Sequence, residues 1–222
     1  RGLGDVYKRQ HILYNVLMKK ILCYGDSNIY GFIPKTCGRY AKNERWSGIL
    51  SELLKDKFEI IEEGMNNRTG FFKNPEGLKQ SGGEYLSVYL QNHKDINFCI
   101  ISLGTNDAQF FYNLNEDSAK AGLQNLINSV YEANPKTQII IVPPVKITPN
   151  ILTSGFSMMF NQDSIEKIKK TFPVYKQKAI ENKCLYFDFN EIVTPSEADG
   201  LHYTIDSHKI IAKNLAEFIL NI

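Results

Sequence analysis

From residue 18 onward the chain alternates between two kinds of apolar pattern. Continuous apolar runs at 21–24, 97–103 and 138–142 show no every-second-residue alternation and read as strands buried on both faces. Between them lie segments whose apolar residues recur three and four apart. Trp46, Ile49, Leu50, Leu53 and Leu54 do so in 45–57, and Leu86, Tyr89 and Leu90 in 84–91. Leu123, Leu126, Ile127 and Val130 repeat the pattern in 118–132, as do Ile210, Ile211, Leu215, Phe218 and Ile219 in 207–222. Such spacing puts one apolar stripe on each helix, facing a core. Shorter β-rich runs at 58–61 and 185–188 complete the strands, and 164–183 predicts a helix that Pro173 should kink or divide.

Strands that alternate with helices imply right-handed βαβ units, hence a parallel sheet covered on both faces. The expected fold is α/β, a three-layer α/β/α sandwich, and ligands of such sheets bind at the carboxyl ends of the strands. Residues 18–222 read as one domain, long enough to bury a full core. Residues 1–17 show neither periodicity nor a signal-peptide cleavage site, so they are expected to be a leader outside the fold, with Met18 as the natural start.

Charge and composition narrow the partners. Lys and Arg number 26 against 24 for Asp and Glu, a net charge of +2 that gives no reason to expect nucleic acid. No apolar run approaches the length of about 18 residues needed to span a membrane, so none is expected as a partner. Four cysteines (Cys23, Cys37, Cys99, Cys184) form no C-x-x-C pair, which argues against zinc. Cys23 and Cys99 fall in predicted strands, where a free thiol acts as a small hydrophobe; this fits a reducing cytoplasm.

Four polar clusters remain, each at a predicted strand end or in a late loop. Ser27, in Gly25-Asp26-Ser27-Asn28, follows the first strand and can turn hydroxyl and backbone N–H toward one cleft; the same residues also favour an ordinary turn. Asp199 and His202 are three apart, so one loop turn can bring carboxylate to imidazole, the base that a serine nucleophile requires. Each could equally be a surface residue. Asn106, in Gly104-Thr105-Asn106-Asp107, can supply an amide donor to a developing oxyanion, and Gly64 a backbone N–H unobstructed by a Cβ. Both also read as loop punctuation.

Taken together, GDSN (25–28), Gly64, GTND (104–107) and DGLH (199–202) resemble the motif set of the SGNH (GDSL-type) hydrolase superfamily, in its order. ILCYGDSNIYG (21–31), ERW (44–46), EEGMNNRT (62–69) and DGLHYT (199–204) are similar to its arylesterase/acyltransferase branch. The resemblance implies a flavodoxin-like sheet, a Ser27-His202-Asp199 triad, and oxyanion donors from the Ser27 N–H, the Gly64 N–H and Asn106. It implies a serine esterase for short acyl esters of small molecules, working through an acyl-enzyme and without cofactor or metal. A carbohydrate or polysaccharide acetylesterase is the alternative, and a non-catalytic flavodoxin-like binding module is the alternative from outside enzymes.

Other residues carry lesser expectations. His208 is expected to be exposed on the last helix, His11 and His93 to be solvated, Asp26 to brace the nucleophile loop, and Arg68 to be structural. Phe110, Phe111 and Tyr112, with 155–160, read either as an acyl or alcohol pocket, one that a homo-oligomer could share, or as core packing. Residues 145–175 match nothing in the family pattern.

Overall fold

The computed structural model describes residues 18–222; the expected leader at 1–17, with His11, lies outside the described residues. Five strands, β1 (Lys19–Gly25), β2 (Phe58–Gly64), β3 (Phe98–Ser102), β4 (Gln138–Val142) and β5 (Leu185–Tyr186), form one sheet in the order β2-β1-β3-β4-β5. Every pairing is parallel. The helices are α1 (Ser27–Tyr30), α2 (Trp46–Leu53), α3 (Gly82–Gln91), α4 (Glu116–Ala133), α5 (Gln162–Glu181) and α6 (Ile205–Leu220). Helix α2 packs on α6, while α3, α4 and α5 pack in series, so the sheet lies between two helical layers.

The apolar runs account for this sheet. Ile21, Leu22, Cys23 and Tyr24 of β1 and Ile139 to Val142 of β4 are wholly buried, as strands covered on both sides must be. Each such large side chain contributes roughly 1.5–3 kcal/mol of transfer free energy. Helices α4 and α5 start where Asn115 and Asn161 exchange capping bonds with Ser118 and Ser164. Pro173 lies inside α5 without dividing it. It faces solvent, as does Lys169, whose carbonyl loses its helical donor to the proline ring and can be hydrated instead.

Sheet order positions the site. Between β2 and β3 the chain crosses over β1, and Gly25 stands level with both Gly64 and Ser102. The three strands therefore end at one height, and the loops beyond them meet at the topological switch point, where doubly wound sheets bind their ligands. The segment 149–158 forms two 3-10 turns, Pro149–Thr153 and Gly155–Met158, too short for a hydrophobic period to announce them.

Candidate active site

Ser27 is the first residue of α1, directly after β1. Asp26 caps that helix, its Oδ1 accepting the Asn28 N–H at 3.0 Å. Burial pushes the Asp26 carboxyl above its usual range; the Asn28 N–H and the Thr105 hydroxyl oppose the shift without cancelling it. Its role is the expected bracing one: it caps the turn that carries the Ser27 hydroxyl.

The C-terminal loop reaches back to that hydroxyl. His202 Nε2 stands 2.9 Å from Ser27 Oγ, and His202 Nδ1 stands 2.7 Å from Asp199 Oδ2. An ionised carboxylate only accepts, so Nδ1 carries the proton and Nε2 is left to accept from the serine hydroxyl. Asp199 Oδ1 also accepts the backbone N–H groups of Leu201 and His202, both at 2.9 Å, which shapes the loop. Burial alone would raise the Asp199 carboxyl, but the bonds from His202 and Leu201 outweigh it and hold the carboxyl below its ordinary value. Asn28 secures the approach. Its Nδ2 donates to Leu201 O and its Oδ1 accepts from Tyr203 N, both at 3.2 Å, gripping the backbone on either side of His202.

The loop after β3 supplies the third side. Gly104 sits at φ +118°, and a Cβ there would lie 1.9 Å from the Tyr175 hydroxyl, which donates to Leu103 O. Asn106 Nδ2 donates to Arg68 O at 3.0 Å. Asp107 accepts N–H bonds from Gly70, Phe71 and Phe72, tying this loop to the one after β2. Burial raises its carboxyl to about 6 despite those donors. Arg68 is fully buried and structural as expected, donating to Gly25 O, Glu63 O and Lys79 O beneath the rings of Tyr24 and Tyr85.

Ser27, His202 and Asn106 border a cavity of about 100 Å³. Ser27, His202, Asn66, Asn67 and Asn106 form its polar wall, and Phe32, Phe156, Met159 and Leu201 its apolar wall. A larger groove of about 440 Å³ between the starts of α4 and α5 is lined by Asn, Asp, Glu, Lys and Leu and holds no nucleophile or imidazole, so the chemistry points to the smaller one. Among the described residues no group of three or more His, Cys, Asp or Glu side chains is placed to hold a metal ion, and no helix is long and apolar enough to cross a membrane.

Comparison with known proteins fits this geometry. Residues 21–215 match the GDSL-like Lipase/Acylhydrolase family. The chain belongs to that family. As a GDSL-like acylhydrolase it is an esterase-type hydrolase of the SGNH fold. It is similar to the aryl esterase of M. smegmatis, at 27% identity and a TM-score of 0.83, covering 91% of this chain and 99% of that one. A carbohydrate acetylesterase from Sinorhizobium meliloti gives the same 27%, 0.83, 91% and 99%. A further solved structure, at 30% identity and a TM-score of 0.84, covers 92% and 98%. No curated protein sequence matches significantly.

In this GDSL-like hydrolase four expectations need correction. Gly64 does not line the cavity. A Cβ at that position would lie 2.2 Å from Tyr30 N, so the glycine lets α1 press against the end of β2. Asn67 lines the cavity in its place, at φ +58°, and among the described residues no acceptor engages its backbone N–H. Asparagine tolerates that left-handed conformation better than most residues, and the paired asparagines of EEGMNNRT were the available signal.

His208 is not exposed but fully buried, on the inward face of α6 where it meets α2. Its Nδ1 accepts the Trp46 N–H, Tyr40 and Tyr203 flank the ring, and burial pushes its pKa down to about 3. His93 is only half solvated, stacked on Tyr89. Of the apolar segments, Phe156 and Met159 reach the cavity, whereas Phe110 and Phe111 are exposed and do not.

Proposed function

We propose that the chain is a serine esterase that hydrolyses, or transfers to other alcohols, short acyl esters of small molecules. The continuous hydrogen-bonded series from Ser27 Oγ through the His202 ring to Asp199, opening on the cavity, carries this reading. His202 Nε2 takes the Ser27 proton as Oγ attacks the ester carbonyl carbon. The carbonyl oxygen becomes an oxyanion, met by the Ser27 N–H, the free hydrogen of Asn106 Nδ2 and, in the place expected for Gly64, the Asn67 N–H. The tetrahedral centre collapses, the ester C–O bond breaks, and the alcohol leaves with the proton from His202. Water or a second alcohol, deprotonated by His202, then releases the acyl group from Ser27. Asp199 stays ionised throughout and steadies the imidazolium.

The four apolar side chains around so small a space favour an acetyl or similarly short acyl group. The likeness to a carbohydrate acetylesterase, equal to that with an aryl esterase, keeps a sugar ester as the second reading. Hydrolysis of p-nitrophenyl esters from C2 to C12 is expected to be fastest for acetate. Fluorophosphonate is expected to label Ser27, and both signals to vanish in Ser27→Ala. Undiminished hydrolysis by that variant would overturn the reading; rates on acetylated xylo-oligosaccharides set against aryl acetates separate the two alcohols.

A further inference from the structure

We infer that Gln109 is a positioning residue that fixes the oxyanion-binding amides, an inference that rests on the serine-esterase reading above. Gln109 follows the short 3-10 turn Asn106–Ala108 and is 1% exposed. Its Nε2 donates to two side-chain oxygens, Asn67 Oδ1 at 2.7 Å and Asn106 Oδ1 at 3.2 Å. Its own Oε1 is buried and has no partner among the described residues. The side chain is therefore held through its donor end alone, on the two asparagines assigned to the oxyanion.

The consequence follows from amide chemistry. An asparagine amide presents nitrogen on one side and oxygen on the other, and a half-turn exchanges them. Asn106 Nδ2 gives one hydrogen to Arg68 O, and Gln109 holds Oδ1 from the opposite side. With both ends engaged, the remaining Nδ2 hydrogen faces the cavity. Without Gln109 only the bond to Arg68 O fixes the amide, Oδ1 is left without a donor, and the second Nδ2 hydrogen is no longer held toward the cavity. The same Nε2 anchors the side chain of Asn67, whose left-handed backbone aims its unengaged N–H. A buried acceptor with no partner is costly. The fold keeps one at Gln109, as expected of a site in which the donor end has a use.

The test compares kcat and KM on p-nitrophenyl acetate for the wild type, Gln109→Leu and Gln109→Glu, with melting temperatures measured alongside. Losing one oxyanion donor outright costs on the order of 10²–10³ in turnover. Gln109→Leu should therefore lower kcat by about 10- to 100-fold with KM within about threefold, while its melting temperature falls by only a few degrees, because loss of the unpartnered Oε1 partly offsets the two asparagine oxygens left without a donor. Gln109→Glu, equal in size but without donors, should lose more, since its carboxylate faces two amide oxygens. In an Asn106→Ala background the Gln109→Leu penalty should shrink several-fold, because one of the two groups it acts through is absent. Unchanged kcat in both variants, losses that simply multiply with Asn106→Ala, or activity that falls only in step with melting temperature would overturn the inference. A wild type without ester hydrolysis would instead remove the esterase reading itself, before any Gln109 variant is measured.

Discussion

The two walls of the cavity are held in different ways. The polar wall is pinned by bonds that span the chain: Asn28 to Leu201 and Tyr203, Asp107 to Gly70, Phe71 and Phe72, and Asn106 to Arg68. The segment carrying Phe156 and Met159 is tied mostly to near neighbours, such as Ser154 to Ile151 and Met159 to Phe156, with two longer bonds, from Phe110 N to Met159 O and from Asn150 Nδ2 to Glu197 O. At its tip Met158 is 80% exposed. The difference follows from the forces involved. Proton transfer and oxyanion binding are directional and fail with displacements near 1 Å, so their groups must be fixed from several sides. Apolar contact is non-directional, and a wall that only excludes water and limits size tolerates looser support.

Experiments can sharpen this contrast or break it. The largest loss is expected for Asp199→Asn, which keeps the shape but removes the anion that sets the His202 tautomer: turnover of p-nitrophenyl acetate should fall by about 10⁴ with folding intact by circular dichroism. Asn28→Leu, similar in volume, should cost about 10- to 100-fold in kcat with little change in KM, together with several degrees of melting temperature, since Leu201 O and Tyr203 N lose their buried partners. A KM effect without a kcat effect would place Asn28 in substrate binding and erase the contrast. Phe156→Ala, on the other wall, should leave acetate turnover within a few-fold but improve butyrate relative to acetate by about 10-fold or more, the usual worth of a methylene in an apolar pocket. If acetate turnover collapsed there too, the two walls would not be separable.

The smallest effect on activity is expected away from both walls. His208 is buried with a depressed pKa, so the unfolded chain binds its proton more readily than the folded one as pH falls from about 6.5 toward 3. Folding stability must drop in that window as pH falls, by about 1.4 kcal/mol per pH unit from this group. His208→Asn, whose Oδ1 can still accept the Trp46 N–H, should flatten that slope relative to wild type in urea titrations at pH 4 and 7 and leave neutral-pH turnover unchanged.

What the sequence made legible follows the same division. Long periods and continuous apolar runs announced the five strands and the long helices, and Gln138–Val142 emerged with its predicted bounds. The residues that meet at the switch point were readable as strand-end polar clusters, because sheet order alone brings such ends together. Asn67 was harder to read: its proposed contribution depends on a left-handed backbone and on where an N–H points, neither of which a residue type reveals. His208 stands three and seven residues before Ile211 and Leu215, so the helical period does put it on the buried stripe; its polar residue type argued the other way. The 3-10 turns of 149–158 have no period to detect, so the apolar wall was visible only as a run of hydrophobic letters.

The bond between Ser27 and His202 joins residues 175 positions apart. On the serine-esterase reading, a chain growing on a ribosome therefore carries its nucleophile through the synthesis of β2 to β5 before the imidazole that activates it is made.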